Sequence, residues 1–410
     1  MPNTDSLSRR REPIHVVYGG AHLFRAETCR KLGELAARSL TDYAHDAGEF
    51  GEILGLARAL AGTIHARVAE KLRREPVEDF RIDFEDGYGF RSDDEEDAAA
   101  LSSAEETARG MAEGSLPPFF GIRVKPLNEE CRRRSVRTLQ LFLDRLFSLA
   151  EHAPENFVVT LPKIVVPQQV GELAEIIQAY PGVRMEMMIE APRALMRIPE
   201  LIEAARGLCS AAHFGPYDYS ASLGLAAAPA QIPSHPACDF AKCLMQAHFS
   251  GTGIRVADGP TNILPLPVHR GAALSAAQSA ENRESVHRGW KLHYRAVRHS
   301  LELGFYQGWD LHPAQLPVRF AASYAFFLED LNLAGERLRN FIVAAARATQ
   351  TAGIFDDAAT GQGLLNYFLR AVNCGAVAEG EIPDLTGLTL DELRCASFAK
   401  ILEGRHSKED

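Results

Sequence analysis

Eight short runs of β-branched and aromatic residues recur along this chain, separated by longer segments whose apolar residues fall at helical spacing. The runs are HVVYG from His15, FRIDFED from Phe80, FFGIRVK from Phe119, FVVTLPKI from Phe157, VRMEMMIE from Val183, AAHFGPYD from Ala211, IRVADGP from Ile254 and FYQGWDLH from Phe305. Between them lie helix-like stretches such as EETARGMAEG, QQVGELAEIIQAY, ALMRIPELIEAARGL and HYRAVRHSLELG, the last ending in a glycine suited to closing a helix. Strands that alternate with helices are joined as parallel crossovers. Eight such units are the count of a (β/α)8 barrel, although an open doubly wound sheet shows the same local alternation. Counting does not choose between them.

Two segments exceed a minimal barrel. Residues 20–79 leave room for two helices around DAGEFGEILGLARALAGTIHARVAEKLRREP, an extra helical insertion after the first strand. Beyond the eighth run the chain is rich in Ala and Leu, with a break at EGEIPDLTGLTLDEL. We expect a catalytic barrel over 1–325 and a C-terminal helical extension over 326–410. The extension would cover the barrel mouth, pack on another subunit, or serve as helical padding.

At 410 residues, 46% of them hydrophobic, the chain is long enough to bury a sizeable core. A net charge of −10, with both signs interspersed, leaves no electrostatic footprint for nucleic acid or an anionic membrane surface. The seven cysteines are scattered and lack CxxC pairs, which points to reduced thiols rather than disulfides or a zinc–thiolate site. The N-terminal MPNTDSLSRRREPIHVV has no apolar leader core, and no later run is long enough to span a membrane. A cytoplasmic location is expected.

In a parallel barrel, functional groups gather where the strands end. Here those ends carry Asp83, Glu85 and Asp86, then Arg123 and Lys125, Lys163, Glu190, Asp218, Asp258, and Asp310 with His312. Several carboxylates brought to one mouth repel unless a cation or basic side chains offset them. Glu190 and Asp218 lie on adjacent strands with no His or Cys cluster near them, and such hard oxygens suit Mg2+ or Mn2+. The competing reading pairs Glu190 with Arg123 or Lys163 in a structural ion network. Gly215 and Pro216 form a turn just before Asp218 that would let backbone groups approach a substrate. The glycines of YGG and ATGQG form no phosphate-binding loop.

The motifs RIDFEDG, IRVK, LPKI, MIEAPRAL, HFGPYDYSASLG, VADGP and GWDLHPAQL, in that order, resemble the HpcH/HpaI aldolase, citrate lyase β-subunit and malyl-CoA lyase superfamily over residues 14–325. The resemblance implies a TIM barrel of the phosphoenolpyruvate/pyruvate-binding type, oligomeric, making or breaking carbon–carbon bonds with a divalent metal. By position it implies Glu190 and Asp218 as metal ligands and Arg123 as the arginine that holds the substrate. It implies Glu85 and Asp86 as the acidic pair beside the metal, and His312 as part of an HP element shaping the mouth. Lys163, Gly215, Pro216 and Asp258 complete the expected substrate contacts. Asp86 stands where some relatives carry a catalytic histidine, so no histidine base is expected there.

Several positions depart from the family pattern. Lys125 replaces a usual Asn, Tyr217 and Tyr219 replace smaller residues, and VYGGAHLF is only loosely similar to the family's first-strand element. The tyrosines and Lys125 suggest a pocket for an anionic or aromatic substrate.

The expected activity is therefore an Mg2+-dependent lyase acting through the enolate of a 2-oxo acid or acyl-CoA thioester. Malate-synthase-like condensation, thioester hydrolysis and a non-catalytic metabolite-binding barrel are the alternatives. A Lys163 Schiff base would leave Glu190 and Asp218 without a task.

Overall fold

The computed structural model describes residues 11–226, 233–271, 273–344, 349–351 and 354–406. The expectation of no leader sequence falls largely on residues 1–10, outside the described residues. The eight runs form β1 (His15–Gly20), β2 (Asp79–Asp83), β3 (Phe119–Arg123), β4 (Phe157–Leu161), β5 (Arg184–Ile189), β6 (Cys209–Phe214), β7 (Arg255–Ala257) and β8 (Gly308–Asp310). All pair in parallel, in the spatial order β7-β6-β5-β4-β3-β2-β1-β8. A parallel bridge between Ala257 and Gln307, with the Asp258 N–H donating to the Gln307 carbonyl at 2.9 Å, closes the circle. The fold is thus a (β/α)8 TIM barrel, and the open sheet is excluded.

The strands end earlier than the apolar runs suggest, because Pro, Gly and Asp take over once the ladder stops and the chain turns outward. The insertion after β1 holds three helices, Thr28–Tyr43, Ala47–Leu54 and Arg58–Arg74, one more than expected. Asp46 caps the second, accepting from the Glu49 N–H, and Gly55 ends it at φ 72°. Phe50 of that helix meets the buried Trp290 of helix Ala276–Glu302 edge-on, at 5.9 Å between centroids, which fixes the insertion to the barrel wall.

The expected division at 325/326 falls inside helix Leu316–Leu328, which packs on the barrel along its whole length. The segment beyond it contains helices and also an antiparallel hairpin, Thr349–Thr351 with Ile354–Asp356. Its helix Ala358–Cys374 is tied to the chain entering β1. Asn373 accepts from the Glu12 N–H at 2.8 Å and donates to the Glu12 carbonyl at 2.7 Å, and Arg370 pairs with Glu12. Farther along, Glu381 meets Arg67 of the insertion at 3.2 Å. These contacts lie at the end of the barrel where the strands begin, opposite the mouth.

No described helix is long and apolar enough to cross a membrane. The seven cysteines are free, as expected.

Candidate active site at the barrel mouth

Side chains alternate along a strand, so Asp79, Arg81 and Asp83 of β2 face the barrel interior while Phe80 and Ile82 pack outward into the apolar core. The inner layer is a closed charge network. Arg81 bonds both oxygens of Asp79, donates to Glu186 at 2.5 Å and reaches Thr160 Oγ1 at 3.1 Å, while His213 lies 2.8 Å from Glu186. Because each charge has an opposite neighbour, this floor tolerates burial.

At the mouth, Arg123 is held on three sides. Its Nε and Nη2 donate to the two oxygens of Asp83 at 2.7 and 2.5 Å, a bidentate clamp, and its plane lies 4.9 Å from the ring of Tyr18 and 5.4 Å from that of Trp309. That leaves Nη1, which lies 2.9 Å from Glu85 and 3.6 Å from Asp86. Asp83 also accepts from the N–H groups of Glu85 at 3.0 Å and Gly87 at 2.7 Å, so the carboxylate that fixes Arg123 also shapes the acidic loop. Glu85 bonds the Lys163 ammonium through its other oxygen. Burial raises the Glu85 carboxyl above its usual range, against the pull of Arg123 and Lys163.

Lys163 adopts the left-handed conformation, at φ 50°. This strained backbone aims its N–H at Glu190 Oε1, 2.5 Å away, while its ammonium turns to Glu85. Glu190 is 3% exposed and makes no ion pair among the described residues. Neither Arg123, committed to Asp83 and Glu85, nor the Lys163 ammonium, committed to Glu85, makes an ion pair with Glu190 among the described residues. Burial, then the nearby charge of Asp218, pushes the Glu190 carboxyl up to about 7. Asp218 sits exposed in the first turn of helix Pro216–Ser222, with Pro216 opening the helix and Gly215 before it.

The donor set fits a divalent cation. Two hard carboxylates lie close enough to repel, with only the Lys163 ammonium, itself bonded to Glu85, to offset them, and Gly215 keeps clear the space beside Glu190 Oε2, where a Cβ would intrude to 2.7 Å. Among the described residues no three His, Cys, Asp or Glu side chains form a metal-holding group. Two ligands leave most of the shell to water and substrate, as Mg2+ and Mn2+ commonly do.

Other expected contacts lie elsewhere. Asp258 is buried and occupied, with Lys242 at 3.1 Å, Ser300 at 2.5 Å and the Gly259 N–H at 2.8 Å. His312 caps the 3₁₀ turn Pro313–Gln315 through Nδ1, accepting from the Ala314 N–H at 3.1 Å. Lys125 turns away from the mouth to bond Glu96 and the Phe84 carbonyl, each at 2.7 Å. Tyr219 packs in the core against Phe214, and Tyr217 donates to the Pro260 carbonyl at 2.9 Å. Lys125, Tyr217 and Tyr219 do not come together in the expected pocket: Lys125 is drawn to Glu96, Tyr219 into the core against Phe214, and Tyr217 to the Pro260 carbonyl.

Tyr18 and Trp309 were not singled out by the sequence, and Asp83 stood only among the strand-end carboxylates, without the clamping role it has on Arg123. The signal for Asp83 was its place two residues after Arg81, on the same inward face. For Tyr18 and Trp309 it was strand alternation, obscured by the brevity of β8.

A family model described as a domain of unknown function, DUF6986, matches residues 5–401. No curated protein matches the sequence. Among solved structures, a citrate lyase from Burkholderia xenovorans LB400 superposes with a TM-score of 0.59 at 19% identity, covering 91% of this chain and 96% of that one. Protein CitE from Mycobacterium tuberculosis, solved with magnesium, acetoacetate and coenzyme A, superposes with a TM-score of 0.50 at 16% identity, covering 88% and 99%. In fold the chain is similar to these citrate lyase barrels.

Proposed function

We propose that this chain, which belongs to the DUF6986 family, is a divalent-metal-dependent carbon–carbon lyase acting on a 2-oxo acid or an acyl thioester. The observation that carries the proposal is the buried Glu190, without an ion pair among the described residues, near Asp218 in the same mouth as Arg123, whose Nη1 is turned toward the acidic loop. Glu190 and Asp218 would hold the cation. When bound, it would polarise the substrate's oxo oxygen and offset the negative charge that develops on cleavage.

The chain's own residues supply the rest. Arg123 presents a guanidinium prepositioned by Asp83, so its stabilisation of the enolate oxygen requires little reorganisation. Glu85 and Asp86 orient a water that takes the proton from the substrate hydroxyl as the carbon–carbon bond breaks and its electrons pass to the enolate. Lys163 shields Glu85 and fixes Glu190 through its backbone, and Gly215 and Pro216 leave the floor open to substrate.

The reading is tested by incubating the protein with Mg2+ and a panel of 4-hydroxy-2-oxo acids and 3-hydroxyacyl-CoA thioesters. Release of pyruvate with an aldehyde, or of acetyl-CoA with an oxo acid, is expected. Release of a free hydroxy acid without its cleavage partner would make the protein a thioester hydrolase instead. Tight binding without any product would make it a metabolite-binding barrel.

A further inference from the structure

A sizeable cavity lies at the opposite end of the barrel from the mouth. It holds about 870 Å³, in the range of small-molecule sites, and is enclosed by the chain entering β1, helix Arg58–Arg74 of the insertion and helix Ala358–Cys374 of the C-terminal segment. Nothing in the lyase chemistry uses it.

Its charged walls sort into two kinds. Most are neutralised where they stand: Arg11 and Lys71 by Glu75, Arg370 by Glu12, and Arg394 by Glu379. Two guanidiniums are not fully used. Arg74 makes no ion pair or side-chain hydrogen bond among the described residues, and Arg67, which meets Glu381 only through Nη2, has a buried Nη1 with no partner. A buried unpartnered donor is costly, and its presence in a cavity wall points to a group that binds there. The Tyr324 side chain, 2% exposed, also lines the cavity. The remaining walls are apolar or aromatic, with Leu369 and the ring of Tyr306, over which Arg370 lies at 4.7 Å.

We infer that this cavity is a second binding site, for a small anion with an apolar or aromatic body, whose charged end meets Arg67 and Arg74 and whose body lies against Tyr306 and Leu369. The half-buried Arg67, held by Glu381, and the exposed Arg74 at the rim match an anionic head group, carboxylate or phosphate, and the ring wall matches the body. The site adjoins the start of β2 through Lys71 and Glu78, far from Glu190, so occupancy should be independent of the mouth.

Phenyl phosphate and benzoate, titrated calorimetrically into the full chain, test this and distinguish the two head groups. At least one should bind saturably at one site per chain. Arg74→Gln should weaken it about tenfold, the loss expected for one charge-assisted contact. Ala66→Trp, at an exposed helix position lining the cavity, should abolish binding while leaving the melting temperature unchanged. Glu190→Gln, or saturation of the mouth with Mg2+ and oxalate, should leave it intact. Absence of saturable binding by both probes overturns the inference, as does binding that Ala66→Trp tolerates or that oxalate displaces.

Discussion

A Cβ placed on Gly215 would stand 2.5 Å from the Cβ of Glu190 and 2.7 Å from its Oε2. The φ of Gly215 is −102°, which any residue adopts, so the need for glycine is purely steric. Gly215→Ala should therefore push Glu190 out of position. The overpacking costs about 1–3 kcal/mol, and Mg2+ affinity should fall by roughly tenfold or more. Calorimetric titration of Mg2+ and urea denaturation separate the two effects. An alanine variant with unchanged metal affinity would show that Glu190 is not a ligand.

Asp83 is the clamp on Arg123, and the latter is 2% exposed. Asp83→Ala leaves a buried guanidinium short of its main partner, at a cost of about 3–5 kcal/mol. The milder Asp83→Asn keeps the shape and loosens the aim of Nη1. It should lower kcat by about 10²-fold, with KM less affected. Equal losses in kcat and stability across both variants would reduce Asp83 to a structural partner.

Lys163 offers a test of reaction class. Burial works against its positive charge, but the bond to Glu85 and the charge of Asp86 raise its ammonium above the usual range. A Schiff-base lysine requires the reverse. Borohydride added with pyruvate should leave the protein mass unchanged, whereas a reduced adduct on Lys163 would assign a metal-independent mechanism.

Outside the mouth, acid should destabilise the fold through His15 and His293. Burial lowers both below the ordinary 6.5, against the pull of Asp310, which lies 3.7 and 2.9 Å away. A group depressed in the folded state binds its proton more readily when unfolded, so its stabilisation is present above 6.5 and lost as pH falls through the unfolded value. The urea midpoint should drop between pH 7.5 and 5.5, and His293→Gln should flatten that slope.

Much of this architecture was legible in the sequence, because a barrel strand buried on both faces reads as a continuous apolar run, and Glu190 stood out as a carboxylate closing one. Arg123, Glu85, Asp86, Lys163, Glu190, Asp218 and Gly215 do converge. Asp258 and Lys125 were misread because an ionisable group at a strand end looks the same whether it faces the mouth or the helix outside. Only the partner, Lys242 or Glu96, distinguishes them, and it comes from a distant segment. The hairpin at Thr349–Thr351 escaped because its strands are too short for alternation to register.

The central claim is that Glu190 and Asp218 bind a divalent cation that recruits an oxo-acid substrate. It is tested most directly by titrating oxalate, a mimic of the pyruvate enolate, with and without Mg2+ into the wild-type protein, Glu190→Gln and Asp218→Asn. Oxalate should bind the wild type only when Mg2+ is present, and neither variant should bind it. Metal-independent binding, or binding that survives both substitutions, would contradict the account.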